Sequence, residues 1–195
     1  MLHMIRLAVG AMVLLVGEVS LAQTPNEYFP LKPKTKWTYK VQDQTVEVVV
    51  AGQEKFNNED CAKVDTLVNG KVVASELYTV RADGVYRVKV KDDKIDPPVK
   101  VLAVPPKAGA EWEIKSKVGN QTVSGKFKIK DLNEKVMTPA GSFEAVLVEG
   151  IDLEIAGTKT TVKTWFAKGT GVVKLSYKIQ DAESILELTK YEEGK

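Results

Sequence analysis

Histidine is almost missing from this 195-residue chain, the single one being His3. That position falls in the leader described below, so the exported chain would hold none. The absence removes the usual general base near neutral pH, the usual partner of a serine or cysteine nucleophile, and a common zinc ligand. Cysteine is equally scarce, with Cys61 alone. No disulfide can form within the chain, so stability must come from packing. Neither sign of charge dominates: 28 Lys and Arg stand against 26 Asp and Glu, for a net charge of +2. This balance gives no reason to expect a nucleic-acid partner. Beyond the leader no apolar run reaches the roughly 20 residues of a membrane-spanning helix.

The leader is read from three features. Arg6 precedes "LAVGAMVLLVG" (Leu7 to Gly17), and "EVSLA" places Ser20 and Ala22 three residues and one residue before a cut at Gln23. A positive start, a short apolar run and small residues at the cut describe a secretory signal over residues 1–22. The expected product is one domain, residues 23–195, in the periplasm or outside the cell. It would not be an integral membrane protein. Cys61 lies far from the junction, so no lipid-bearing cysteine is expected there.

What is present is strand pattern. In "TVEVVVA" Val46, Val48 and Val50 alternate with Thr45 and Glu47. In "VYRVKVK" Tyr86, Val88 and Val90 alternate with Arg87, Lys89 and Lys91, and in "GKFKIK" Phe127 and Ile129 alternate with Lys126, Lys128 and Lys130. Period-two alternation predicts antiparallel strands with one wet face. The lysine stripes read as such wet faces, and lysine also blunts sheet edges. "VNGK" at 68–71 is a strong hairpin signal, because Asn-Gly tolerates positive φ at both central positions. "ADG" (82–84), "VGNQ" (118–121) and "AGT" (156–158) mark further turns. "DAESILELTKY" (181–191) fits a helix capped by Asp181 or a last strand, and is taken as strand. The expectation is an all-β, antiparallel, strongly curved sheet or barrel-like sandwich of roughly 11 to 13 strands.

One phrase occurs twice. "FPLKPKTKWTYKV" (29–41) and "VPPKAGAEWEIKS" (104–116) share Pro30 with Pro105, Lys32 with Lys107, Trp37 with Trp112 and, on the tryptophan side, Tyr39 with Ile114. "YTVRADGVYRV" (78–88) and "WFAKGTGVVKL" (165–175) follow in the same order, matching Tyr78 to Trp165 and Gly84 to Gly171. Two similar meander halves, about 28–97 and 98–192, are therefore expected. Proline fixes φ and donates nothing to a ladder, so it belongs before a strand. The tryptophan then enters the sheet and buries a large apolar face.

Three motifs, "YFPLKPKTKWTY", "VMTPAGSFEAVLVE" (136–149) and "TWFAKGTGVVKLSY" (164–177), together resemble the TapB-like domains of unknown function in exported bacterial proteins. They are more distantly similar to exported proteins of YmcC-like β-fold. The resemblance implies a curved antiparallel sheet or barrel-like sandwich and supplies no catalytic residues. Lys34–Lys36 stand where that family's turn usually contains glycine.

No catalytic constellation emerges. Cys61 has no histidine partner and sits among Glu59, Asp60 and Asp65, which raise a thiol's pKa. It is expected to be buried and inert. The carboxylates Asp92, Asp93 and Asp96, or Glu144, Glu149 and Asp152, could serve a glycosidase, but nothing in their spacing separates them from a solvated surface. Ser142 lacks a nucleophile elbow, and "AKGTG" (167–171) is too short for a phosphate loop. No metal site and no cofactor are expected. The aromatic residues Trp37, Trp112, Trp165 and Phe166 are the candidate ligand contacts, against the plainer reading that they fill the core. Trp165 and Phe166 are adjacent, so both faces are covered there or a bulge turns one. The expected function is non-enzymatic binding of a lipid or other hydrophobic small molecule, or of an envelope protein. The alternatives are a scaffold module without a small ligand and, less favoured, a carboxylate-dependent carbohydrate hydrolase.

Overall fold

The alternating segments form strands throughout a computed structural model that describes residues 26–195. The expected leader, 1–22, lies outside the described residues. The first six strands are β1 (Lys36–Val41), β2 (Gln44–Phe56), β3 (Glu59–Val68), β4 (Lys71–Arg81), β5 (Gly84–Val90) and β6 (Asp93–Ala103). The next six are β7 (Glu111–Val118), β8 (Gln121–Thr138), β9 (Gly141–Ile155), β10 (Thr158–Ala167), β11 (Gly171–Ile179) and β12 (Ala182–Glu192). Each pairs antiparallel with its chain neighbour, and β1 pairs with β12, so the sheet closes into a barrel. No helix occurs among the described residues. The segment 181–191 is strand from Ala182 onward, with Asp181 in the preceding turn rather than capping a helix, and Trp37 and Trp112 fall in β1 and β7, six strands apart.

Closure follows from strand count and patterning. Twelve twisted strands with one continuous apolar face bury it best by curling the face inward, which also removes free edges. The lysines on the other face pair across strands rather than guarding an edge. Lys36 pairs with Glu47, Lys128 with Glu111, Lys174 with Glu187, and Glu149 sits between Lys130 and Lys163.

One joint is incomplete. Between β6 and β7 the register is confined to Ile95↔Val118 and Asp96↔Lys117. Pro97 and Pro98 come next in β6 and have no N–H to donate. Further along the gap, the Trp112 indole N–H donates to the Lys100 carbonyl at 2.8 Å and ties the two strands together.

The two ends of the barrel differ. At one end the turns 42–43, 69–70, 91–92, 119–120, 156–157 and 180–181 are all two residues long. Each begins at positive φ, on Gln42, Asn69, Lys91, Gly119, Ala156 and Gln180. The other end carries the 104–110 loop and the segment 26–35. That segment is held by Lys34 N–H to the Val50 carbonyl, Val50 N–H to the Thr35 carbonyl and Gly169 N–H to the Glu27 carbonyl. Lys34 itself adopts φ of 69°, taking the glycine-like conformation without a glycine. The stretch that leads into Trp37 is therefore a plug: Leu31 is buried, and Phe29 packs on Trp37, Tyr78 and Phe166.

The face assignment of "VYRVKVK" is corrected. Arg87 pairs opposite Tyr78 and shares its lumen-facing side, while Tyr86 and Val88 pack on the outer face with Cys61 and Leu77. A bulge between Arg87 and Lys89 breaks the simple alternation, and an acid inside the barrel holds the arginine there.

Candidate functional site

Inside the barrel the side chains do not fill all the space. A cavity of about 200 Å³ is lined by Phe29, Trp37, Tyr39, Val46, Val48, Val64, Thr66, Glu76, Tyr78, Val172, Leu175 and Leu186. Strand alternation places these residues. Trp37 lies opposite Val48, Tyr39 opposite Val46, and Val48 opposite Thr66, so consecutive strands present the same face at one level.

The aromatic part of the wall is fixed by hydrogen bonds. The Trp37 indole N–H donates to the Thr170 carbonyl at 2.6 Å, and the Tyr39 hydroxyl donates to the Val172 carbonyl at 2.8 Å. Both tie β1 to the start of β11 across the closed end. Burial pushes the Tyr39 phenol far above its ordinary value, so it remains a neutral donor. Along β11, Leu175 lines the cavity, and Tyr177 and Ile179 follow on the same face toward the end with two-residue turns. They are 36% and 43% exposed, which gives that mouth an apolar lip.

One charged group enters the apolar wall. Glu76 accepts from the Tyr78 hydroxyl at 2.6 Å and from Arg87 Nη1 at 3.0 Å. Burial and the Glu76 charge push the Tyr78 phenol well up; for Arg87 burial acts downward, and Tyr78 and Glu76 together outweigh it and raise the guanidinium. Arg87 Nε is buried and has no hydrogen-bond partner.

The four aromatic residues singled out from the sequence are not brought together. Trp37 lines the cavity. Phe166 faces inward behind it, 6.1 Å from Phe29. Trp112 is a seam residue, packed on Phe127. Trp165 pairs with Lys174, whose ammonium lies 5.7 Å from the indole, and its N–H donates to Glu134. Trp165 and Phe166 are both buried, and the register shifts between them, so both expected devices operate there.

Sequence reasoning missed Glu76 and Arg87. Parity was the available signal: Glu76 alternates with Tyr78 and Val80, so an inward Tyr78 predicts an inward Glu76. Of the surface carboxylates, Asp96 pairs with Lys94, and Glu149 with Lys130 and Lys163. Among the described residues no group of three or more His, Cys, Asp or Glu is placed to hold a metal ion. Cys61 is fully buried, and burial with the nearby Glu59 charge pushes its thiol up to about 11.

No protein-family model matches the chain, and no curated protein matches it in sequence. Two crystal structures are similar in fold. One is a candidate lipoprotein from Parabacteroides distasonis ATCC 8503, with a TM-score of 0.58 and 15% identity over 87% of this chain and 100% of that one. The other is a candidate exported protein with a YmcC-like fold from Bacteroides fragilis NCTC 9343, with a TM-score of 0.57 and 13% identity over 85% of this chain and 98% of that one. At these identities the likeness establishes the YmcC-like fold.

Proposed function

We propose that this chain is an exported, non-enzymatic barrel that takes an apolar group into its lumen. The observation that carries the reading is the cavity of about 200 Å³ between Trp37, Tyr39, Val46, Val48, Leu175 and Leu186. Its size narrows the ligand. Sites that enclose a whole drug-sized molecule run to roughly 300–1,000 Å³, so this cavity accepts an alkyl segment or one ring. The polarity of the barrel favours work in water: apart from the Glu76–Arg87 pair the lumen is lined by apolar side chains, and the ladder of Lys–Glu pairs lies outside, the reverse of a membrane-spanning barrel. Export and membership of the TapB-like domains rest on the leader and the three motifs, and belong to the same proposal.

The test is production of the full chain in a bacterial periplasm and purification without detergent. Native mass spectrometry with solvent extraction should then show a stoichiometric apolar adduct, or uptake of an added alkyl compound. An unliganded mass that stays unliganded after that addition would refute the reading. A second reading, an interaction module for an envelope partner, draws on Val72 and Val73, which are 54% and 49% exposed on the outer face beside a groove lined by Lys63, Lys89 and Lys91.

A further inference from the structure

We infer that the lumen takes a neutral apolar molecule bearing a hydroxyl group, an alcohol or a phenol, whose O–H donates to the Glu76 carboxylate. This rests on the reading of the lumen as a binding cavity, and it names the ligand class. Three features of the cavity wall lead to it.

First, Glu76 lines the cavity, and its side chain is 22% exposed. Each of its oxygens accepts one bond, Oε1 from Arg87 and Oε2 from the Tyr78 hydroxyl. An ionised carboxylate has about four acceptor sites, so about half of them remain open to a donor. Second, most other polar groups of the wall have already given their protons away. The Trp37 indole donates to the Thr170 carbonyl, the Tyr39 hydroxyl to the Val172 carbonyl, and the Tyr78 hydroxyl to Glu76. Among the lining side chains Thr66 alone keeps a hydroxyl for either role. The wall is therefore rich in acceptors and short of donors, and an incoming O–H complements it. Third, Arg87 does not line the cavity, but it balances the Glu76 charge at 3.0 Å. An ammonium head would bring an unbalanced charge into an apolar space, at a desolvation cost. A carboxylate would add a negative charge beside Glu76, with Thr66 as its donor. A hydroxyl adds no charge.

The cavity sets the size. At roughly 30 Å³ per water-sized group, a volume of about 200 Å³ holds six or seven such groups. Phenol and 1-hexanol match it, one with a ring and the other with a flexible chain as the apolar body. Longer tails would extend past Leu175 toward Tyr177 and Ile179.

Calorimetric titration of the full chain at neutral pH with phenol, 1-hexanol, toluene, benzoate and benzylamine tests the inference. Toluene matches phenol in size and has no donor, and benzoate and benzylamine carry the two signs of charge. Phenol should bind tighter than toluene by roughly tenfold to a hundredfold, the span of one hydrogen bond to a charged group. Benzoate and benzylamine should both bind more weakly than phenol. The triple variant Glu76→Leu/Tyr78→Phe/Arg87→Met replaces the whole polar network by apolar groups, so no charge or hydroxyl is left without its partner. It should still bind toluene and lose the preference for phenol. Val48→Phe, which fills the cavity, should abolish binding of every probe and so separates lumen binding from surface adsorption.

Equal affinity for phenol and toluene would leave an apolar cavity in place and overturn the role of Glu76 as acceptor. Binding of no probe would overturn both readings, as would binding that persists in Val48→Phe. Benzylamine or benzoate as the tightest probe would refute the neutral hydroxyl class. Binding of phenol and 1-hexanol alike supports the inference with alcohols at large as the source, and binding of phenol without 1-hexanol supports it with an aromatic ligand. A preference for phenol that survives in the triple variant would assign the donor contact elsewhere and refute the proposal.

Discussion

The joint between β6 and β7 makes an informative test of how this barrel is held. Its register covers Ile95↔Val118 and Asp96↔Lys117, and the indole of Trp112 supplies a further tie, to the Lys100 carbonyl. Trp112→Phe keeps a ring against Phe127 and deletes the tie. A typical hydrogen bond contributes about 0.5–1.5 kcal/mol, and a stranded buried carbonyl costs about 1–3 kcal/mol. Here the strands already part, so water reaches the carbonyl and the lower range applies: about 1 kcal/mol. Trp37→Phe offers the contrast. Trp37 is 3% exposed, and its N–H serves the Thr170 carbonyl at the plugged end. Loss of that bond together with buried indole volume should cost about 2–3 kcal/mol. Urea unfolding measures both, and amide hydrogen exchange locates the change. Trp112→Phe should speed exchange at residues 99–103 and 111–116 and leave β3 and β4 unchanged. If Trp112→Phe costs as much as Trp37→Phe, or if exchange quickens evenly around the barrel, the joint is not its weak point.

Other expectations follow from single environments. Arg87→Met alone should cost about 1–3 kcal/mol, because it takes a charged hydrogen bond from the partly buried Glu76; the double variant with Glu76→Gln should cost less, and a double-mutant cycle in urea measures the coupling. Gly84→Ala should destabilise by about 1–3 kcal/mol, since an added Cβ would lie 2.4 Å from the Leu102 carbonyl oxygen; a thermal melt reads it. Cys61 should resist iodoacetamide at pH 8 in the folded protein and react in urea. Its thiol titrates near 11 when folded against an ordinary 9.0. The folded state thus binds the proton more tightly between those values, and stability should fall as pH rises from 9 to 11; Cys61→Ala should flatten that slope.

Much of the local structure was legible. The alternation of Val46, Val48 and Val50 fixed their common face, and Asn69-Gly70 forms its hairpin with both residues at positive φ. The turns at Gln42, Lys91 and Gln180 carried no glycine signal, yet their backbones enter the same region because the flanking strands impose the twist. The candidate site was half legible. Trp37 was singled out, whereas Trp112 and Trp165 share its residue type and fall to a seam and an outer face.

By itself the sequence determined that residues 26–195 are all β, where most strands turn, that no disulfide forms within the chain, and that no histidine serves the described barrel. These are local or compositional facts, set by side-chain period, backbone preference and the inventory of groups. Only the tertiary structure decided that β1 meets β12, that Phe29 plugs one end, and that Glu76 and Arg87 meet inside. An open sheet and a closed barrel need the same alternation along every strand. The choice between them lies in the summed twist of twelve strands, and the bulge at Arg87 depends on the acid that β4 places opposite it.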